Sequence, residues 1–145
     1  MDTINFFIDE KFIIEYDNYN NIISDALYNR EKLYFYMLND ETIDLGKIKD
    51  KNVLILGIGA IGSITTELLA RAGFNNFTLV DNDLVEKSNL IRQLSYTNND
   101  TLKYKVDVMK KRLKSINENI KVKKINKFIQ KEEDIVNEVR NSDFV

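Results

Sequence analysis

The chain has no cysteine, no histidine and no proline, and five glycines among its 145 residues. The first two absences exclude disulfides, a Cys/His zinc site, a thiol nucleophile and an imidazole base within this chain. The missing proline, beside abundant asparagine, reads as genome composition rather than function. Excess charge of one sign is missing too. With 21 basic and 23 acidic residues the net charge is −2, so nothing draws the chain to nucleic acid in general and any anion must be held locally. No apolar run is long enough to span a membrane, and the N-terminus, MDTINFFIDEKF, carries acids where a secretory signal carries bases. A cytoplasmic protein with neither nucleic-acid nor membrane partner is expected. Its 43% hydrophobic and 30% charged residues are those of a soluble globular protein, with room for one domain and a real core.

Three of the five glycines stand together, in Gly57-Ile58-Gly59-Ala60-Ile61-Gly62. Val53–Leu56, a four-residue apolar run fit for a strand buried on both faces, leads into them. After them Ile64, Leu68, Leu69 and Ala72 recur at helical spacing, and Gly73 follows as a left-handed cap would. Phe77–Val80 is a second apolar run with Asp81 at its carboxyl end. Strand, glycine turn, helix, strand and acid, in that order, make a nucleotide site in a parallel sheet. Gly57 makes the tight turn, Gly59 admits phosphate to the backbone, and Gly62 lets helix and strand pack closely. The helix N-terminus near Ala60 offers free N–H groups and partial positive charge to an anion. Asp81 can accept hydrogen bonds from a ribose.

The rest of the chain alternates strand and helix signals. Leu102–Ile116 carries Val106, Met109, Leu113 and Ile116 at helical spacing with lysines outside. Ile120–Ile125 reads as a strand, and Lys131–Arg140 as a helix, apolar at Ile135 and Val139. Asp143-Phe144-Val145 opens another buried strand. Glu41–Lys49 reads as a short helix or turn, and Leu84–Asp100 as a long polar loop, either functional or disordered. The pattern predicts an α/β fold, a Rossmann-like doubly wound and mostly parallel sheet, cut short at its C-terminal end. Domains seldom stop inside a strand, so a piece of a longer protein is expected. Residues 1–45 read as a helical or mixed appendage, with weak strands at Phe6–Ile8 and Phe12–Ile14 and a helix over Ile22–Asn39; residues 46–145 read as the incomplete nucleotide-binding domain.

After the second strand comes Asp81-Asn82-Asp83, then Ser88-Asn89-Leu90-Ile91-Arg92-Gln93, then Lys105 in the next helix. A plain dinucleotide fold needs nothing of that kind. From Asn52 to Val145 the chain resembles the ThiF/MoeB/HesA family of ubiquitin-activating-type adenylating enzymes, whose signature is GxGxxG, DxD, SNLxRQ and a following lysine. The resemblance implies that the glycine loop (Gly57, Gly59, Ala60, Gly62) holds ATP and that Asp81 binds its ribose. It implies that Asn89, Arg92 and Lys105 contact the triphosphate, with Ser88 and Gln93 beside them. Asp83 belongs to this constellation or caps its own loop by hydrogen bonding backbone. In such enzymes the C-terminal carboxylate of a small protein or peptide attacks the α-phosphorus and pyrophosphate leaves. A carboxylate needs no general base, so fixed cations suffice. Without the motif, Arg92 reads as a surface partner of Glu86 and Lys105 as one more solvated lysine.

Tyr28-Asn29-Arg30 resembles the family's YxRQ stretch, in which the arginine crosses a homodimer interface into the partner's ATP site; Glu31 stands where glutamine is usual. Otherwise Arg30 is an exposed helical arginine. A second departure is Leu102, where the family usually has glycine ahead of the lysine. The family's aspartate for the Mg2+ that accompanies ATP would lie beyond Val145, so no metal ligand is assigned here and the chain alone is expected to be inactive. The extra N-terminal length leans towards the branch that adenylates microcin peptides. Two other readings stay open: an NAD-dependent oxidoreductase domain, with Asp81 on the adenosine ribose, and a non-catalytic member acting in a heterodimer.

Overall fold

Strand β1 (Asn52–Leu56) is the centre of a parallel sheet. On one side it pairs in register with β2 (Asn76–Val80), Val53 opposite Phe77 and Leu56 opposite Val80. Next comes β3 (Lys121–Ile125), again parallel. The structure, a computed structural model, describes Glu10, Tyr34 and residues 45–145. The chain divides between Leu45 and Gly46 into two units, and only the second is treated below. The expectations for Phe6–Ile8, Phe12–Ile14, Ile22–Asn39 and Arg30 lie outside the described residues.

On the other side of β1 the chain returns at Asp143–Val145. Phe144 bridges to Val53 in parallel, and the Leu54 N–H donates to the Phe144 carbonyl at 2.9 Å. The Asp143 carboxylate accepts from the Asn52 N–H at 2.8 Å and pairs with Lys51. The expected strand is thus present at its first contact, although Phe144 is 51% exposed rather than buried. Since β2 and β3 lie to one side of β1 and Phe144 to the other, the strand order reverses at β1. The loop leaving β1 therefore sits at the topological switch point, where open α/β sheets bind ligands.

Side chains alternate across the sheet, so each strand feeds two cores. Val53, Phe77 and Leu79 point to the larger core, under helices α2 (Ala60–Arg71) and α3 (Lys105–Ile116), which supply Ala70, Val106, Met109 and Leu113. Leu54 and Val80 point to the smaller one, covered by Ile135. Before β1 lies a single turn, α1 (Leu45–Ile48), and residues 41–44 of that expected element lie outside the described residues. The edge strand β3 carries Lys121, Lys123 and Lys124, a charge pattern that discourages further strand pairing.

Several expectations shift. The α3 helix starts at Lys105 rather than Leu102, and its buried stripe of Val106, Met109 and Leu113 is the expected one. The predicted helix over Lys131–Arg140 divides into a 3-10 turn (Glu132–Asp134) and a short α4 (Val136–Arg140). Ile135, between them, is buried, whereas Val139 is 39% exposed. The buried face of α2 is corrected in part: Leu69 packs partly buried against the larger core as expected, but Leu68 is 61% exposed, Ile64 and Ala72 are exposed too, and the helix buries Ser63, Thr66 and Ala70. Small residues fit there because α2 approaches the sheet closely, and the Thr66 hydroxyl satisfies itself on the Gly62 carbonyl at 2.6 Å.

Leu84–Asp100 is neither loose nor extended. It holds two 3-10 turns, Lys87–Asn89 and Asn98–Asp100, and buries Val85, Asn89, Gln93, Ser95 and Tyr96. Its return passes Leu102, whose φ of 66° is left-handed. The Leu102 N–H donates to the Val85 carbonyl, and the Val85 N–H to the Lys103 carbonyl, both at 2.9 Å. This explains the second departure noted above: the backbone here has the conformation that glycine adopts freely, and a leucine carries it.

Candidate functional site

The glycine loop is built by two constraints. Gly57 has a φ of +85°, which its lack of a side chain permits, and its N–H donates to the Val80 carbonyl at 2.8 Å. A Cβ added at Gly62 would lie 2.0 Å from the Gly57 oxygen, so the first turn of α2 closes on the loop only because Gly62 has none. At Gly59 an added Cβ would meet nothing within 4 Å; this is the open side of the loop. Among the described residues the Gly59 N–H has no acceptor. The first N–H groups of α2 likewise have no acceptor within the helix, since nothing precedes them there. Free amides and open space are what a phosphate requires.

Asp81 stands where the sequence placed it, at the end of β2. One carboxylate oxygen accepts the Ile58 N–H at 2.6 Å, and the other accepts the Asp83 N–H at 2.7 Å. The loop-capping carboxylate is therefore that of Asp81. Each of its oxygens keeps a second lone pair, so a ribose hydroxyl can still donate to it. Asp83 instead turns its carboxylate to Lys105, with Oδ2 2.7 Å from Nζ. The Lys105 backbone N–H donates to the Asp83 carbonyl at 3.0 Å. Lys105 is 4% exposed, which overturns the reading of a solvated lysine. Burying an ammonium requires a partner, and Asp83 supplies one while two of the three ammonium donors stay available.

The SNLIRQ stretch forms a knot of local bonds. The Asn89 Oδ1 accepts the Glu86 N–H at 3.1 Å, and the Ser88 hydroxyl donates to the Glu86 carboxylate at 3.0 Å. Both side chains thus build the turn in this structure. Arg92 is exposed and donates to the Ser88 carbonyl at 2.8 Å; among the described residues it has no carboxylate partner, so the pairing with Glu86 is not found. Most of its five N–H donors stay free among the described residues. Gln93 is 5% exposed, and among the described residues its Oε1 accepts no hydrogen bond. A buried orphan acceptor is uncommon and points to a missing donor.

One residue escaped the sequence reading. Tyr96, 4% exposed, lies in the larger core and donates its hydroxyl to the Ile58 carbonyl at 2.7 Å. Burial first, then the neighbouring Asp81 charge, push this phenol well above its ordinary pKa, so it remains a donor. The only available signal was a lone aromatic in an otherwise polar loop. Lys105, Asp83, Asp81, Ile58 and Tyr96 form one continuous set of bonds, which joins the glycine turn to the segment that carries Arg92.

A family model described as the ThiF family matches residues 29–145. The chain belongs to the ThiF family. Among the relatives it matches is the sulfur carrier protein ThiS adenylyltransferase of Bacillus subtilis, 41% identical over 52% of this chain and 23% of the relative. The tRNA threonylcarbamoyladenosine dehydratase of Haemophilus influenzae is 36% identical over 61% of this chain and 34% of the relative. Among solved structures, Escherichia coli MccB in complex with ATP superposes with a TM-score of 0.75 at 32% identity, covering 92% of this chain and 38% of MccB. This ThiF-family chain thus spans well under half the length of each. The family contains adenylyltransferases, and its Rossmann-like architecture is the α/β sheet described above. Among the described residues no helix is long and apolar enough to cross a membrane, and no three carboxylates cluster as a metal site.

Proposed function

We propose that the chain is the ATP-binding part of an enzyme that adenylates the C-terminal carboxylate of a small protein or peptide. The observation that carries this reading is the buried Lys105, fixed by Asp83 and bonded through it and Asp81 to a glycine loop whose Gly59 N–H lacks an acceptor among the described residues. An NAD-binding loop needs no buried cation at that place.

In this reading the loop amides, Lys105 and Arg92 hold the triphosphate, and Asp81 takes the ribose. Charge that develops on the phosphoryl oxygens and the leaving pyrophosphate meets cations already in place, which lowers the barrier without a proton acceptor. Among the described residues the Arg92 guanidinium is tethered only by the Ser88 carbonyl, so it can present two parallel donors to a phosphate. Arg30, from the partner of a homodimer, would add a further cation. Residues 1–45 would serve as the appendage that carries Arg30 and helps hold substrate, and residues 46–145 as the nucleotide domain. Mg2+ would accompany the ATP; among the described residues no three carboxylates cluster to hold it, and no step is assigned to that ion. A peptide acceptor is favoured because the likeness to MccB extends over 92% of the chain. MccB has also been solved with N-formylated MccA and is named there as a microcin C7 biosynthetic enzyme. The protein would work in the cytoplasm.

Calorimetric titration with ATP, AMP and NAD tests the proposal. ATP should bind more tightly than NAD, and Arg92→Ala should weaken ATP binding by about tenfold to a hundredfold, the range for losing a charge-assisted contact. Tighter binding of NAD, indifferent to Arg92→Ala, would overturn it in favour of an oxidoreductase domain.

A further inference from the structure

Two successive peptide planes in the glycine loop are fixed from opposite sides. The Gly57–Ile58 peptide is held by its N–H on Asp81, while its carbonyl oxygen packs against Gly62. Among the described residues the Ile58–Gly59 peptide is held by its carbonyl alone, on the Tyr96 hydroxyl at 2.7 Å. A trans peptide is planar, with its C=O and N–H antiparallel. The bond that draws the Ile58 oxygen inward to Tyr96 therefore turns the Gly59 N–H the opposite way, away from Tyr96, at a residue where an added Cβ would meet nothing within 4 Å. The Ile58 side chain, fully buried in the same core as Tyr96, prevents the residue from rotating as a whole.

We propose that Tyr96 is a positioning residue for phosphate recognition: its hydroxyl sets the direction of the Gly59 amide that meets the nucleotide phosphates. This rests on the nucleotide reading above and adds to it a residue outside the glycine, DxD and SNLxRQ signatures. Asp81 fixes the first plane and Tyr96 the second, so the loop meets its ligand already ordered, without spending binding energy on loop ordering. A phenylalanine would fill the same core volume yet leave the Ile58 carbonyl without a donor and the second plane free to turn.

The test is Tyr96→Phe in the full chain, titrated calorimetrically with ATP and, separately, with adenosine, beside thermal melting of both proteins. Binding of ATP should fall about tenfold, the scale of one well-placed hydrogen bond, while adenosine binding stays within twofold. An equal loss for both ligands would assign Tyr96 a general structural role and overturn the proposal, as would unchanged ATP binding. A wild-type chain that binds adenosine but gains nothing from the phosphates would overturn the nucleotide reading and this inference together. Wild-type ATP binding that Tyr96→Phe leaves untouched removes the inference alone. If Tyr96→Phe melts too early to titrate, Tyr96→Met, which fills the core without an aromatic ring or hydroxyl, serves in its place with the same expected split.

Discussion

Helices α2 and α3 are both twelve residues long and cover the same face of the same sheet, yet they bury opposite kinds of surface. In α3 the large apolar residues are inside: Met109 and Leu113 are fully buried. In α2 Ile61 is 83% and Leu68 61% exposed and Leu69 is only partly buried, while Ser63 and Thr66 are fully buried. The difference follows from how near each helix comes to the strand it crosses. The first turn of α2 touches the Gly57 carbonyl, leaving no room for large side chains beneath it. Helix α3 is held off by a layer of methylene and methyl groups. Hydrophobic periodicity identifies the buried face of a helix that packs through large side chains. It misidentifies one that packs through glycine and hydroxyls.

Each half of this comparison can be broken by substitution, read by urea unfolding. Gly62→Ala should be the most damaging, at about 3 kcal/mol or more, because its Cβ would meet backbone that cannot yield. A loss below about 1 kcal/mol would show that α2 has slack. Met109→Ala should cost about 3 kcal/mol by leaving a cavity in a fully buried site, and a near-neutral result would mean that α3 does not pack as described. Leu102→Gly should stabilise by up to about 1 kcal/mol, since glycine relieves the left-handed strain at a φ of 66°; destabilisation would deny that strain. Leu68→Ser, on the outer face of α2, should change stability by less than about 0.5 kcal/mol. A larger loss would place that face against something.

How much was legible follows the same division. The strands, the tight turn at Gly57 and the close packing at Gly62, Asp81 at the end of β2 and the stripe of α3 could all be read, because each depends on neighbours in sequence. The destination of Asp83 could not. Its carboxylate reaches Lys105 across twenty-two positions, and spacing alone does not distinguish that bond from a local cap. Tyr96 was hidden for a similar reason: its partner is a backbone carbonyl thirty-eight positions away. The polar stretch Leu84–Asp100 looked loose because its packing rests on a few residues, Val85 and Tyr96 among them, separated by hydrophilic turns. Ser88 and Asn89 were assigned to the nucleotide by resemblance; the structure shows them bonded within their own turn.

The account depends on a phosphate cradle at the C-terminal edge of the sheet, and the backbone amides report on it most directly. With the chain labelled by nitrogen-15, added ATP should shift the amides of Gly59, Ala60 and Ile61 most, with Lys105 and Arg92 next. Those at the opposite edge, Asn52, Asn76 and Lys121, which line a separate cavity of about 620 Å3, should stay unmoved. Shifts confined to that opposite edge, with Gly59 unchanged at saturating ATP, would contradict the account.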